Sequence, residues 1–296
     1  MGSVQRAGVT LRYLVEGSGI PVLVIGSSVF CPRTFSRRLR EECTLAFADL
    51  RHFGESGPGS SAGEVRFDGY AEDVERLRAA IGFEKAVLLG HSHHGCMALE
   101  YARRHPDRVT HVVTIATPPV SVERTIAGGA AYWAQHASME RKAVLKGNRQ
   151  ALEQEHPGEA ASADAFVRRY VADGPRYWYD PYYDAAPLWE GVPINMAGIS
   201  AFRGLFTDHE LGWDPWEMPA PVLVVTGRYD YVVPPTLWDT VLPGLPRVTH
   251  HHFENSGHTP QLEEPERFDA VLLGWLRSDA APEPCEPGAS CEPGAS

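Results

Sequence analysis

Three short apolar runs, each closed by a glycine, limit what this chain can fold into: Val-Leu-Val-Ile at 22–25, Ala-Val-Leu-Leu at 86–89 and Val-Leu-Val-Val-Thr at 222–226. Strands with no polar face belong inside a sheet covered on both sides, and such sheets are mainly parallel. Further strands are expected at 8–16, where apolar and polar residues alternate, and at 44–49, 109–116 and 248–253. Helical spacing separates them. Tyr70, Val74, Leu77 and Ile81 fall on one helix face, with Asp68 as the expected cap and Gly82 as the stop. Helices are also expected at 95–104, 235–242 and 265–276. Strands alternating with helices imply an α/β domain.

Between 118 and 215 this rhythm stops. Strand signals are scarce there, and aromatic, proline and acidic residues crowd together, most densely in Tyr-Trp-Tyr-Asp-Pro-Tyr-Tyr at 177–183. A segment this long is an insertion rather than a loop. The expected organisation is a core of 1–117 and 216–278, an inserted cap of 118–215, and a tail of 279–296. That tail, with Cys-Glu-Pro-Gly-Ala-Ser twice in tandem, reads as disordered or artificially appended.

The chemistry-bearing residues lie just past the buried strands. Ser92 follows the 86–89 run in Gly90-His91-Ser92-His93-His94-Gly95, on a strand-to-helix turn that would lift its hydroxyl above the sheet. Asp230 follows the 222–226 run, and His258 follows 248–253 in Ser256-Gly257-His258. The C-terminal ends of parallel strands share one edge, so the three side chains can converge there. A serine hydroxyl needs a base to become a nucleophile. Histidine supplies that base near neutral pH, and a carboxylate fixes its tautomer. The expected catalytic residues are therefore Ser92, His258 and Asp230.

Longer motifs carry a resemblance. Asp49-Leu50-Arg51-His52-Phe53-Gly54-Glu55-Ser56 resembles the Asp-x-Arg-Gly-x-Gly-x-Ser loop of the proline iminopeptidase-like branch of α/β-hydrolase-fold enzymes. Ser256 to Pro265 resembles that branch's histidine segment. The resemblance implies an α/β-hydrolase fold: a mainly parallel sheet with helices on both faces and an inserted helical cap. It also implies an oxyanion hole from the backbone N–H groups of Ser27 and His93. Ile25-Gly26-Ser27-Ser28 departs from the branch's pattern, and His52 and His94 stand where glycine is usual. These departures leave the triad intact and weaken aminopeptidase specificity.

The expected substrate is a small ester, thioester or lactone cleaved through a Ser92 acyl-enzyme. An aminopeptidase or amidase is the alternative, and a non-hydrolytic receptor, acyltransferase or cyclase is the reading from another class. Ser28, His94, Trp133, Trp178, Tyr183 and Trp189 are the expected pocket residues. Glu123, Glu140, Asp184 and Glu190 are the cap acids that could hold a substrate ammonium. No cofactor and no metal is expected, because the histidine runs at 91–94 and 250–252 lack a ligand pattern. Cys31 and Cys96 read as buried packing residues.

With 38 acidic against 27 basic side chains, the formal net charge is −11. That balance argues against nucleic acid and anionic membrane surfaces as partners. No secretory signal and no apolar run near the ~20 residues of a membrane span is visible. Five cysteines without a paired spacing fit a reducing cytoplasm. The sequence specifies no oligomeric state.

Overall fold

The computed structural model describes residues 1–56, 66–212, 218–245 and 247–278. Its strands are β1 (Gly2–Arg6), β2 (Val9–Gly17), β3 (Ile20–Gly26), β4 (Cys43–Asp49), β5 (Glu55–Ser56), β6 (Ala86–His91), β7 (Val109–Ile115), β8 (Val222–Gly227) and β9 (Val248–Phe253). They form one sheet in the order β1-β2-β4-β3-β6-β7-β8-β9, with β5 beside β2. The pairs β1–β2, β2–β4 and β2–β5 are antiparallel, and every pair from β4 to β9 is parallel. Interior strands are buried on both faces: Val22, Leu23, Val24 and Ile25 in β3, and all of β8.

Two apolar layers flank the sheet. On one side pack α2 (Phe67–Ile81) and α3 (His93–Arg104), through Tyr70, Val74, Leu77, Met97 and Tyr101. On the other packs α10 (Pro265–Ser278), through Phe268, Leu272 and Leu276. Gly82 closes α2 in a left-handed conformation at φ 89°. Asp68 does not cap this helix. Arg66 occupies the cap position, while Asp68 lies in the first turn and pairs with Arg104.

The expected helix at 235–242 is absent. Two short 3-10 turns, Pro235–Leu237 and Leu242–Gly244, stand there instead. Pro234, Pro235 and Pro243 interrupt any α-helical ladder. Burial of Trp238, whose Nε1–H donates to the Thr117 carbonyl at 2.9 Å, fixes the path.

Between β7 and β8 lies the inserted helical cap. It comprises α4 (Val122–His136), α5 (Met139–Glu155), α6 (Ala163–Ala172), the short α7 (Ala186–Trp189) and α8 (Met196–Gly204). Ser121, Ser138, Ser162 and Asn195 cap α4, α5, α6 and α8 by accepting from N–H groups three residues on. The expected junction at 215/216, the tail 279–296 and most of the glycine-rich stretch at 54–63 lie outside the described residues.

Candidate active site

Ser92 sits at the sharp turn between β6 and α3, at φ 56° and ψ −137°. Such a conformation is costly for a residue with a side chain, and the surroundings must enforce it. Ser92 N–H donates to the Ile115 carbonyl at 2.8 Å, and Gly95 N–H returns to the Ser92 carbonyl at 2.9 Å. The turn is tight enough to require glycine on both sides. A Cβ on Gly90 would lie 2.3 Å from the His94 carbonyl oxygen, and one on Gly95 would lie 1.9 Å from Thr117 Oγ1.

Asp230 and His258 meet at the same edge of the sheet. His258 Nδ1 and Asp230 Oδ2 are 2.6 Å apart, and both side chains are buried. The other carboxylate oxygen accepts from Val232 N–H at 2.9 Å and Val233 N–H at 2.8 Å, which locks its orientation. With Nδ1 donating to the carboxylate, Nε2 of a neutral His258 is left as an acceptor.

The backbone of His258 is held at both ends. Its N–H donates to the Tyr177 carbonyl at 2.5 Å, and its own carbonyl accepts from His91 Nε2 at 2.7 Å. Glu263, in α9 (Pro260–Glu263), gathers three N–H donors: Tyr179 of the cap at 2.6 Å, and Gly257 and Thr259 at 3.0 Å each. Glu264 accepts from Ser256 Oγ at 2.6 Å. His91, Tyr177 and Glu263 are not among the site residues expected from the sequence; His91 figures there only in a histidine run without a metal-ligand pattern, and Tyr177 only in the aromatic run of the cap. Glu263 lies within the quoted histidine segment, and His91 adjoins Ser92, but only the tertiary fold reveals what they hold.

Ser27 lies just past the end of β3. Its N–H points at Cys31 Sγ, 3.4 Å away, a weak acceptor. His93 opens α3, so its N–H belongs to the first turn and has no place in the helical ladder. Asp49 steadies the strand end by accepting from Ser28 N–H at 2.6 Å. Arg51 is turned away and bonds Asp73 at 2.8 and 3.0 Å.

These groups open onto a cavity of ≈ 440 Å³ between the sheet edge and the cap. Ser27, Ser92, His93 and His258 line it, as do His94 and Trp189 among the expected pocket residues. Its aromatic wall is Phe30, Phe166, Tyr170 and Trp189, with Trp189 centred 4.7 Å from Phe30 and 5.1 Å from Tyr170.

The other expected pocket residues stand elsewhere. Ser28 is buried beside Asp49. Trp178 is buried in the core and packs against Tyr183, ring centres 4.5 Å apart and planes tilted by 47°. Trp133 packs edge-on against Tyr231 and faces a separate groove with Lys142. Their aromaticity serves packing of cap on core. Arg141 fastens this region, donating from one nitrogen to the Pro175 and Trp178 carbonyls at 2.7 Å each.

The cavity floor is an array of neutral imidazoles. Burial lowers His91 and His52 to about 3 and His93 to about 4, and also places His94 well below its ordinary value. His52 bridges Tyr70 Oη, 3.2 Å from its Nδ1, and His94 Nε2, 3.1 Å from its Nε2. Phe202 of α8 lies over both rings, 4.3 Å from His52 and 5.5 Å from His94. Cys31 also lines the cavity, its thiol pushed up to about 12 by burial, whereas Cys96 is enclosed in the core. His250 and His252 share Thr226 Oγ1 at 2.8 and 3.0 Å. Among the described residues no three His, Cys, Asp or Glu side chains converge as a metal site. Nor is any described helix long and apolar enough to cross a membrane.

Residues 24–265 match the family described as alpha/beta hydrolase fold. The chain is 36% identical over 277 residues to the AB hydrolase superfamily protein YclE of Bacillus subtilis (strain 168), covering 93% of this chain and 98% of that one. It is 23% identical to a proline iminopeptidase of Heyndrickxia coagulans, over 89% of this chain and 92% of the relative. A solved thermophilic esterase from Thermogutta terrifontis superposes with a TM-score of 0.64 at 22% identity, covering 94% of this chain and 99% of the other. Identities this similar to differently named enzymes do not single out the iminopeptidase branch. Fold, family match and relatives agree on the broader assignment: the chain belongs to the α/β-hydrolase superfamily and is a hydrolase.

Proposed function

We propose that the chain is a serine hydrolase that cleaves a small carboxylic ester, thioester or lactone through a Ser92 acyl-enzyme. The observation that carries this reading is the buried 2.6 Å contact between His258 Nδ1 and Asp230 Oδ2 beside a serine held in a strained turn. His258 Nε2 takes the Ser92 proton as Oγ attacks the carbonyl carbon. The resulting oxyanion is stabilised by the N–H groups of Ser27 and His93, each worth ~10²–10³ in turnover in comparable sites. Ser27 N–H exchanges its weak sulfur acceptor for a charged oxygen. The imidazolium, stabilised by Asp230, returns its proton to the leaving group. Water then repeats the sequence on the acyl-enzyme, releasing the acid and restoring Ser92.

An aminopeptidase must hold a substrate ammonium, which calls for a carboxylate facing the scissile bond. The cavity lining contains no Asp or Glu among the described residues, and Glu123, Glu140, Asp184 and Glu190 are not part of it. This supports an ester over an amino-terminal substrate, although the proline iminopeptidase relative keeps the alternative in view. Comparing methyl and p-nitrophenyl esters with proline p-nitroanilide separates the two. Faster turnover of the anilide would reverse the preference.

The test of the mechanism is intact mass after exposure to a fluorophosphonate. A single adduct on the natural chain, lost in Ser92→Ala, is the expected result. No adduct on a well-folded natural chain would overturn the serine mechanism and favour a ligand receptor on the same scaffold.

A further inference from the structure

The side chains lining the cavity have a formal charge opposite in sign to that of the chain as a whole. The protein carries a formal net charge of −11, yet the cavity lining holds Arg176 and Arg203 and, among the described residues, no carboxylate. Both arginines come from the cap. Arg176 lies in the Gly174–Arg176 turn, where one Nη2 donates to the Tyr231 carbonyl at 3.1 Å and anchors the side chain. Its remaining guanidinium donors have no protein acceptor among the described residues. Arg203 lies in the last turn of α8, directly after the Phe202 that covers His52 and His94.

Two carboxylates on the same segments are engaged by other arginines. Asp173 pairs with Arg149 at 2.7 Å, and Glu210 pairs with Arg124 at 2.6 Å. Neither guanidinium has an ion-pair partner among the described residues. Both charges reach the reacting region. Each acts on Tyr177, opposing the burial and the Asp173 and Asp230 charges that push its phenol up to about 12, and Arg203 also acts on His93. Tyr177 in turn packs edge-on against His258 at 5.5 Å.

We propose that Arg176 and Arg203 form a carboxylate subsite, so that the substrate is an ester bearing a second, anionic carboxylate away from the scissile bond. This rests on the serine-hydrolase reading for the reaction itself, which remains ester plus water giving acid plus alcohol. A planar guanidinium fork matches a carboxylate, and charge-assisted bonds inside a partly closed cavity exceed those in water. The aromatic wall accommodates the spacer between the two groups. The same subsite disfavours an ammonium by like-charge repulsion, so it selects by exclusion as well as by attraction.

The test uses the full chain carrying Ser92→Ala, which removes turnover, and measures binding by calorimetry. The probes are the monomethyl esters of glutaric, adipic, pimelic and suberic acids, each against the methyl ester of the monocarboxylic acid of equal length. At least one half-ester is expected to bind about tenfold or more tightly than its uncharged match, as a charge-assisted contact predicts. That ratio should fall toward one in Arg203→Gln and in Arg176→Gln, be partly kept in Arg203→Lys, and persist in the surface control Arg277→Gln. Circular dichroism and urea unfolding identify any variant that fails to fold, and Arg203, which has no ion-pair partner to lose among the described residues, is the safer position.

Equal binding of charged and uncharged esters at every length would overturn the subsite. So would a preference that survives in both glutamine variants, or no measurable binding of any half-ester. A fluorophosphonate adduct on Ser92 together with any of these results would sink the subsite and leave the serine mechanism standing. A half-ester preference without an adduct would do the reverse.

Discussion

Lowering the pH should destabilise this protein, and replacing His52 by glutamine should remove a calculable share of the loss. His52 is 2% exposed, wedged between Phe53 and Phe202 with ring centres 4.5 and 4.3 Å away. Burial, with a smaller contribution from the Arg51 charge, lowers its pKa to about 3. In the unfolded chain it returns to ~6.5. Because the folded value is the lower one, stability is full above the unfolded pKa and declines as the pH falls toward the folded pKa. The unfolded state takes up a proton that the folded state refuses. Between about pH 7.5 and about pH 5.5 this single site should cost about 1.4 kcal/mol, from RT ln(1 + 10) at the lower pH less a negligible amount at the higher.

His91 and His93 act in the same direction, whereas Glu263, pushed up to about 7 chiefly by burial, acts in the opposite one. The absolute pH curve therefore mixes several groups. The difference between natural chain and variant isolates His52. Glutamine keeps an amide that can face Tyr70 and His94 and has no titration in this range. Any packing loss it causes shifts the whole curve without changing its slope. The assay is urea unfolding followed by tryptophan fluorescence at several pH values. The stability drop between the two pH values should be about 1.4 kcal/mol smaller in His52→Gln. Parallel curves would mean that His52 is protonated in the folded state, and the account of a neutral imidazole floor would be wrong.

Two further outcomes follow from the site. Asp230→Asn keeps a hydrogen-bonding group at 2.6 Å from His258 but inverts the tautomer preference, so kcat should fall by about 10⁴ with folding retained; a loss under tenfold on an ester substrate would remove Asp230 from the proposed triad. Glu263→Gln leaves one carbonyl oxygen for three N–H donors, stranding that of Tyr179 if Gly257 and Thr259 keep theirs. The expected loss is about 1–3 kcal/mol by urea unfolding at pH 8, and a change indistinguishable from zero would show that the carboxylate holds nothing in place.

What the sequence revealed and what it hid divide along a physical line. The interior strands were legible because they bury four or five consecutive apolar residues on both faces: 222–226 falls one residue short of β8, and 86–89 opens β6. The edge strand β1 escaped notice. Its burial alternates between half-buried and exposed, and its pairing with β2 asks little of its side chains. The turns that carry Ser92, Asp230 and His258 were legible for the same reason as the strands, since each is fixed by residues immediately adjacent in the chain.

The cap follows a different logic, and so does the identity of the pocket. Arg176, Tyr177 and Trp178 are consecutive, yet they face the cavity, clamp the His258 backbone through a carbonyl, and fill the core, respectively. No local periodicity distinguishes these fates, because they are set by docking: Tyr231 N–H on the Arg176 carbonyl at 3.0 Å, His258 N–H on the Tyr177 carbonyl, and Arg141 on the Trp178 carbonyl. The same docking sets the charge of the cavity lining apart from that of the chain as a whole. Net charge counts every side chain equally, whereas a substrate meets only those that the cap turns inward. In this chain the charged side chains lining the cavity are Arg176 and Arg203, while Asp173 and Glu210 pair with Arg149 and Arg124. The proposed catalytic residues are thus specified locally at strand ends, whereas the cavity lining is specified by which side of the cap meets the core.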